Sequence, residues 1–307
     1  MREAPPHLTD EDVLAAVNEH WHAGGDRIGH LPVGFGAHHW RVSGADTILF
    51  VTFDRLGERH TADSLEAAYA GARSLSASAL DFVLAPLEAD TGRVTVPFED
   101  GALSVTRWRN GKSGDGSMSP ARARETRAML DRLHAATPPA DLPRWRPLVG
   151  PDLADDLGQR TATPWDSGPY GEDAREAIRE RLRDITTWTA DYHRLAAAAA
   201  EHPWVATHGE PHTRNHLSTP DTVLLVDWES LKLAPRERDL RSLEEAGYPQ
   251  PGADASMLEL FDLEWRLDEI SQYATWFEAW HTGTGSDAVA FAGLVGELER
   301  EGCHTRN

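Results

Sequence analysis

Residues 207–229 read THGEPHTRNHLSTPDTVLLVDWE, a polar loop that runs into an apolar strand-like segment and stops on Asp227-Trp228-Glu229. Glu210 is followed five residues later by Asn215, and a turn at 218–221 leads into Thr222-Val223-Leu224-Leu225-Val226. A short apolar, β-branched run of this kind reads as a buried strand. A carboxylate at its end, close to an amide and a second carboxylate, suits a divalent cation that also holds phosphate oxygens. Magnesium takes one or two protein carboxylates and leaves its other positions to phosphates and water. A polar loop that merely carries a His, a Glu and an Asn is the alternative, but loop, spacing, strand and terminal Asp agree with one another.

Composition narrows the class. A chain of 307 residues buries a substantial core as one large domain or two lobes. It has no run of about 18 apolar residues, so no membrane span is expected. The opening, Met1 to Asp12, is polar and acidic and lacks the layout of a signal peptide. The single cysteine, Cys303, excludes an internal disulfide and a Cys metal cluster. These features fit a soluble, cytoplasmic enzyme. The formal charge of −20 argues against nucleic acid or an anionic membrane as partner. It favours a cationic ligand, although solubility alone explains it equally well.

The pattern along the chain predicts a short helix over 10–23, with Val13, Leu14, Val17 and Trp21 at helical spacing. Gly34 and Gly36 flank Phe35 ahead of an alternating strand that includes Arg41; a plain hairpin gives the same pattern. A strand over Thr47–Phe53, a helix over 61–80 carrying Glu66, and strands at 82–84, 94–98 and 102–108 follow. The last of these leads through Trp108 into a Gly/Ser-rich linker at 111–119, so the boundary between lobes is expected near 110. A helix over 122–136, loop with short turns over 140–171, a long helix from 172 to 201, and a helical stretch over 255–301 complete the reading.

The Glu210, Asn215 and Asp227 spacing matches the catalytic and metal loops of protein kinases. It resembles most closely the aminoglycoside phosphotransferase family, whose loop reads H-G-D-x-x-x-x-N followed by a strand and I/V-D-W/F. Leu130 to Pro138 (L-x-x-L-H-A-A-T-P) and Pro235 to Leu240, near the family's G-D-P-x-x-D-L, carry weaker parts of the likeness. The resemblance implies an α+β, bilobal, kinase-like fold. Its small antiparallel N-terminal lobe (1–110) would bind nucleotide, and its larger helical lobe (111–307) would hold the catalytic loop, metal site and acceptor cleft. It implies ATP or GTP as donor, Mg2+ as cofactor and a small, cationic hydroxyl-bearing acceptor such as an aminoglycoside-like antibiotic. The chain would work as a monomer or homodimer.

By the same resemblance Asn215 and Asp227 hold the metal, Glu210 takes the place of the catalytic Asp, and Asp239 anchors the loop. Gly34 and Gly36 cover the nucleotide, and the base lies against Thr106 to Trp108. Asp268, Glu269 and Glu278 are candidates for binding acceptor amines. Two positions depart from the family. Glu210 is one methylene longer than Asp, a displacement of about 1 Å, which can cost about a hundredfold in rate. Thr52 stands where the family keeps a phosphate-binding lysine, and the chain's only lysines are Lys112 and Lys232. Arg41, Arg55 or His39 would have to supply that charge, with Glu66 as its acidic partner. A kinase-fold binding protein without transfer, or a nucleotidyl transferase, are the rival readings.

Overall fold

The computed structural model describes residues 3–5, 7–34, 36–57 and 60–300. Phe35, Glu301 and Cys303 lie outside the described residues. In chain order the elements are α1 (Asp10–Trp21), β1 (Gly25–Leu31), β2 (His38–Gly44), β3 (Ile48–Arg55), α2 (Ala62–Ala77), β4 (Thr95–Phe98) and β5 (Gly101–Arg107). Then come β6 (Lys112–Ser113), α3 (Pro120–Ala135), α4 (Leu153–Arg160), α5 (Gly171–Ala198) and β7 (Trp204–Thr207). The remainder is β8 (His216–Ser218), β9 (Val223–Leu225), β10 (Lys232–Pro235), α6 (Glu237–Glu245), α7 (Ala255–Glu278) and α8 (Gly285–Glu299).

The chain divides into two compact units, one of residues 1–145 with 204–249 and one of residues 146–203 with 250–307. Residue 110, where a boundary is expected from sequence, falls inside the first unit. The reason is local: Lys112 and Ser113, expected as linker, form β6 and pair with Ser218 and Leu217 of β8.

In the first unit, five antiparallel strands are ordered β1-β2-β3-β5-β4. Side chains alternate across them. Trp40, Val42, Leu49, Val51, Phe53, Leu103 and Val105 form one face and are buried with Val13 and Val17 of α1. Burying each such side chain contributes roughly 1.5–3 kcal/mol, which pins the register. The opposite face therefore carries His39, Arg41, Phe50, Thr52, Asp54, Ser104 and Thr106. Register brings His39 opposite Thr52, Arg41 opposite Phe50, and Thr106 beside Phe50.

Segment 82–84 does not join this sheet. Val83 makes a single parallel bridge to Leu225, where Leu225 N donates to the Phe82 carbonyl at 2.7 Å. Only Val83 finds a partner, so no ladder forms, and the edge of β9 takes the segment through this one bridge. The strand expected there is thus a clasp that holds β9 to the first half of the chain.

The second unit is helical. α4 occupies part of the segment expected as loop, burying Leu153 and Leu157; eight residues give too few turns for the pattern to show. α5 buries Ile178, Ile185 and Tyr192, and α7 buries Leu260, Phe261, Leu267, Ile270 and Phe277. The Tyr192 hydroxyl donates to Glu264 at 2.7 Å and joins the two helices. Among the described residues no helix is long and apolar enough to cross a membrane.

Candidate active site

After β7 the chain turns sharply at Gly209, whose φ is +99°. A Cβ there would meet the Arg238 guanidinium at 2.3 Å, so only glycine fits. Asp239, fully buried on α6, holds the turn: its carboxylate accepts from His208 N at 3.1 Å and Gly209 N at 2.6 Å. A third bond comes from His134 Nε2 on α3 at 2.8 Å. Burial pushes the Asp239 carboxyl up, but the bond and charge of His134 and the Gly209 amide outweigh it and leave the group below its usual range. The anchoring role expected for Asp239 is what these bonds perform, and His134 is its partner.

His208 ties the turn to the end of β9. Its Nε2 donates to the Val226 carbonyl at 2.9 Å and its Nδ1 accepts from Glu210 N at 3.2 Å. Burial lowers its pKa, which keeps the ring neutral in this tautomer. The ring lies 4.5 Å from Trp228, whose indole donates to Leu225 O at 3.0 Å. Asn215 Nδ2 donates to Glu210 O at 3.0 Å, and Asn215 O accepts from Val226 N at 3.0 Å. The Asn215 side-chain oxygen is an acceptor of the kind a hard cation takes.

Asp227 follows β9 with φ +69°, a left-handed conformation that costs a non-glycine residue about 1–3 kcal/mol. The kink brings its carboxylate among others of like charge. Burial, then the charges of Asp227 and Glu210 and a hydrogen bond with Asp227, push the Glu229 carboxyl well up, and its Oε2 is buried with no hydrogen-bond partner among the described residues. Glu210 Oε1 accepts a long bond from Ser230 Oγ at 3.4 Å, and its Oε2 lies 3.9 Å from His212 Nε2. Asp54, at the end of β3, is pushed up to about 7 by burial and by Asp227, against a 2.9 Å bond from the Tyr69 hydroxyl.

Repelling carboxylates with an orphaned oxygen call for a cation. Asn215 Oδ1, Asp227 and Glu229 are hard oxygen donors, the type magnesium takes. Among the described residues no group of three or more His, Cys, Asp or Glu could hold a metal ion alone.

The phosphotransferase enzyme family model matches residues 30–288. The chain belongs to this family. It is a phosphotransferase. Protein StrN of Streptomyces griseus is 30% identical over 247 residues, covering 74% of this chain and 75% of that protein. Among solved structures, spectinomycin phosphotransferase in complex with ADP and spectinomycin is similar, with a TM-score of 0.70 at 13% identity over 94% of each chain. Amicoumacin kinase in complex with AMP-PNP and Ca2+ has a TM-score of 0.61 at 11% identity, over 96% of this chain and 95% of that one. The microcompartment-associated aminopropanol kinase has a TM-score of 0.60 at 13% identity, over 94% of this chain and 95% of that one. These likenesses show a kinase-like fold, small antiparallel sheet first and helices after, as the resemblance implied.

In this phosphotransferase the sheet face opposite the core carries an aromatic set. His39 stacks on Phe50 at 4.9 Å, Trp108 lies 6.4 Å from Phe50, and the Arg41 guanidinium sits 5.1 Å over Trp108. β4 pairs with β5 only as far as Ser104 and Leu87 N donates to the Val105 carbonyl at 2.7 Å; among the described residues no strand pairs with the backbone edge at Thr106–Trp108 on that side. Gly34 and Gly36, both at positive φ, lie in the connection from β1 to β2.

Several expected roles come out differently. Glu66 pairs with Arg93, just before β4, at 3.7 Å, and its carboxylate accepts from Val94 N at 3.0 Å, Thr95 N at 2.8 Å and the Thr95 hydroxyl, which fixes the start of β4. Arg55 lies on the core-side face and pairs with Asp100 at 3.2 Å. His39, hydrogen-bonded through Nδ1 to Thr52 Oγ1 at 3.2 Å, is driven down to about 3 by burial and carries no charge at neutral pH. Of the three substitutes for the missing lysine, Arg41 alone is a cation on the Thr52 face.

On α7, Asp268 accepts from Gln272 at 2.7 Å and Glu278 is bonded by Arg160 at 2.8 Å. Ten residues of helix span about 15 Å, so Glu278 is not brought together with Asp268 and Glu269. Asp54 and Tyr69 were missed from sequence. Asp54 falls two residues after Thr52, and strand alternation alone puts it on the same face.

Proposed function

We propose that this phosphotransferase moves the γ-phosphoryl group of ATP or GTP, with Mg2+, to a hydroxyl of a small cationic molecule. The observation that carries the reading is the Glu210–Asn215–Asp227 arrangement: a buried anchor at Asp239 fixes the loop, Asn215 bonds back to the Glu210 carbonyl, and Asp227 is held in a left-handed conformation after β9. Residues 1–110 would hold the nucleotide, with the base at the open edge of Thr106–Trp108, Gly34 and Gly36 over it, and Arg41 nearest the phosphates. Asn215, Asp227 and Glu229 would hold magnesium, which when bound neutralises the phosphate oxygens. Glu210 would orient the acceptor hydroxyl and take its proton as the acceptor oxygen bonds to phosphorus and the bond to the β-phosphate breaks. The net charge of −20 supports a cationic acceptor, and the solved relatives named for spectinomycin and aminopropanol support a small one. Asp268 and Glu269 are the acids proposed to meet its amines. A cytoplasmic setting accords with the nucleotide requirement.

The test is a screen of aminated alcohols and cyclitols with ATP and with GTP, reading nucleoside diphosphate release and product mass. Release of ADP or GDP with a product heavier by one phosphoryl group is expected. Pyrophosphate release would establish nucleotidyl transfer instead, and nucleotide binding without turnover of any acceptor would favour a binding protein.

A further inference from the structure

Away from the residues assigned above, a cavity of about 220 Å³ lies between the start of α3 and the catalytic loop, with Ser119, Arg122, Thr213, His216 and Ser218 in its wall. Two buried atoms there have no partner, Thr213 Oγ1 and His216 Nδ1. Their residues are only 4% and 1% exposed. Each unmet buried polar group costs about 1–3 kcal/mol, so two in one wall call for an occupant. One water needs only about 10–15 Å³, far less than this space.

The wall has a definite chemistry. Arg122 Nη2 donates to Ser218 Oγ at 2.8 Å, which leaves the Ser218 proton free, while its Nη1 pairs with Glu125 at 2.9 Å. Ser119 caps α3 by accepting from Arg122 N at 3.2 Å, so its proton is free as well. Ser117 gives its proton to Asp115. The positive end of a sixteen-residue helix opens here. A guanidinium, free hydroxyl protons and a helix N-terminus together suit an oxyanion. One group asks for more. His216 Nε2 faces the Pro211 carbonyl at 3.2 Å and so carries the ring proton, which makes Nδ1 an acceptor.

We propose that this cavity binds a tetrahedral oxyanion that itself bears a hydroxyl, namely monohydrogen phosphate or the monoanion of a small phosphate ester. Arg122, Ser119, Ser218 and Thr213 donate to its oxygens, and His216 Nδ1 accepts its proton. Sulfate has the same shape but no proton to give at neutral pH.

Calorimetric titration of the full chain at constant ionic strength tests this, using sodium phosphate, sodium sulfate and glycerol 3-phosphate. Phosphate is expected to bind at least about tenfold more tightly than sulfate. Arg122→Gln, with Ser218→Ala as a second variant should the first disturb α3, should weaken phosphate by about tenfold. Asp227→Ala should leave it unchanged. Tighter binding of the ester than of free phosphate would name the ester as the occupant. Equal binding of sulfate, no saturable phosphate binding, or indifference to both variants would overturn the proposal. Loss in Asp227→Ala alone would place phosphate in the catalytic centre, contradicting this inference while leaving the kinase reading intact.

Discussion

The catalytic loop and the strand face of β2 and β3 serve one proposed reaction but are built on opposite terms. In the loop every turn is held by a buried polar partner: Asp239 takes two amides and His134, His208 bridges to Val226, and Asn215 closes onto Glu210. On the strand face the family's lysine is absent, Thr52 bonds to a neutral His39, and Asp54 adds a buried carboxyl raised to about 7. A loop whose shape depends on hydrogen bonds keeps its residues together, because one loss orphans several buried groups. A charge that only has to lie near a phosphate can be supplied from an adjacent strand.

The largest effect should come from Asp239→Ala. It strips the acceptor from two buried amides and from His134, and breaking such a buried pair costs about 3–5 kcal/mol. A lowered melting temperature and loss of most turnover are expected; unchanged stability would mean the loop does not rest on this anchor. Arg41→Gln should raise the KM for nucleotide about tenfold with little loss in kcat, since a charge-assisted bond is worth about 1.5–3 kcal/mol. An unchanged KM would remove Arg41 from the phosphate site.

Asp54 sharpens the contrast through pH. Its carboxyl is raised from 3.8 to about 7, so the folded state binds a proton that the unfolded state has released. Stability from this group is therefore full below the unfolded value and declines as pH rises toward about 7. Asp54→Asn should flatten that decline, and above neutral pH should melt about 4 °C above the native protein without nucleotide, for about 2 kcal/mol recovered. Identical pH profiles would show that Asp54 is not strained by its neighbours. Glu66→Gln should do least: nucleotide KM within about twofold and a stability loss of about 1 kcal/mol, because its oxygens serve β4.

These differences follow what was legible in the sequence. The placement of Glu210, Asn215, Asp227 and Asp239, and so the roles proposed for them, is visible because it depends on short spacings and on a strand whose burial the residue types announce. Glu66 was not, because its partners, Val94 and Thr95, are brought to it by the register of β4, which helix position cannot reveal. The clasp at 82–84 and the helix at 153–160 were misread for lack of length. The strand face was half legible. The missing lysine is plain in the sequence, but choosing Arg41 over His39 and Arg55 required knowing which face each occupies and that burial keeps His39 neutral.

The central claim is that Asp227 gathers a cation with nucleotide phosphates at the end of β9. The most direct measurement is thermal unfolding of the native protein and of Asp227→Ala with ATP and GTP, each with and without magnesium. Binding to the folded state raises the melting temperature by mass action. A magnesium-dependent rise in the native protein that is lost in the variant is the predicted result. An equal rise in both proteins, or none with either nucleotide, would contradict the account.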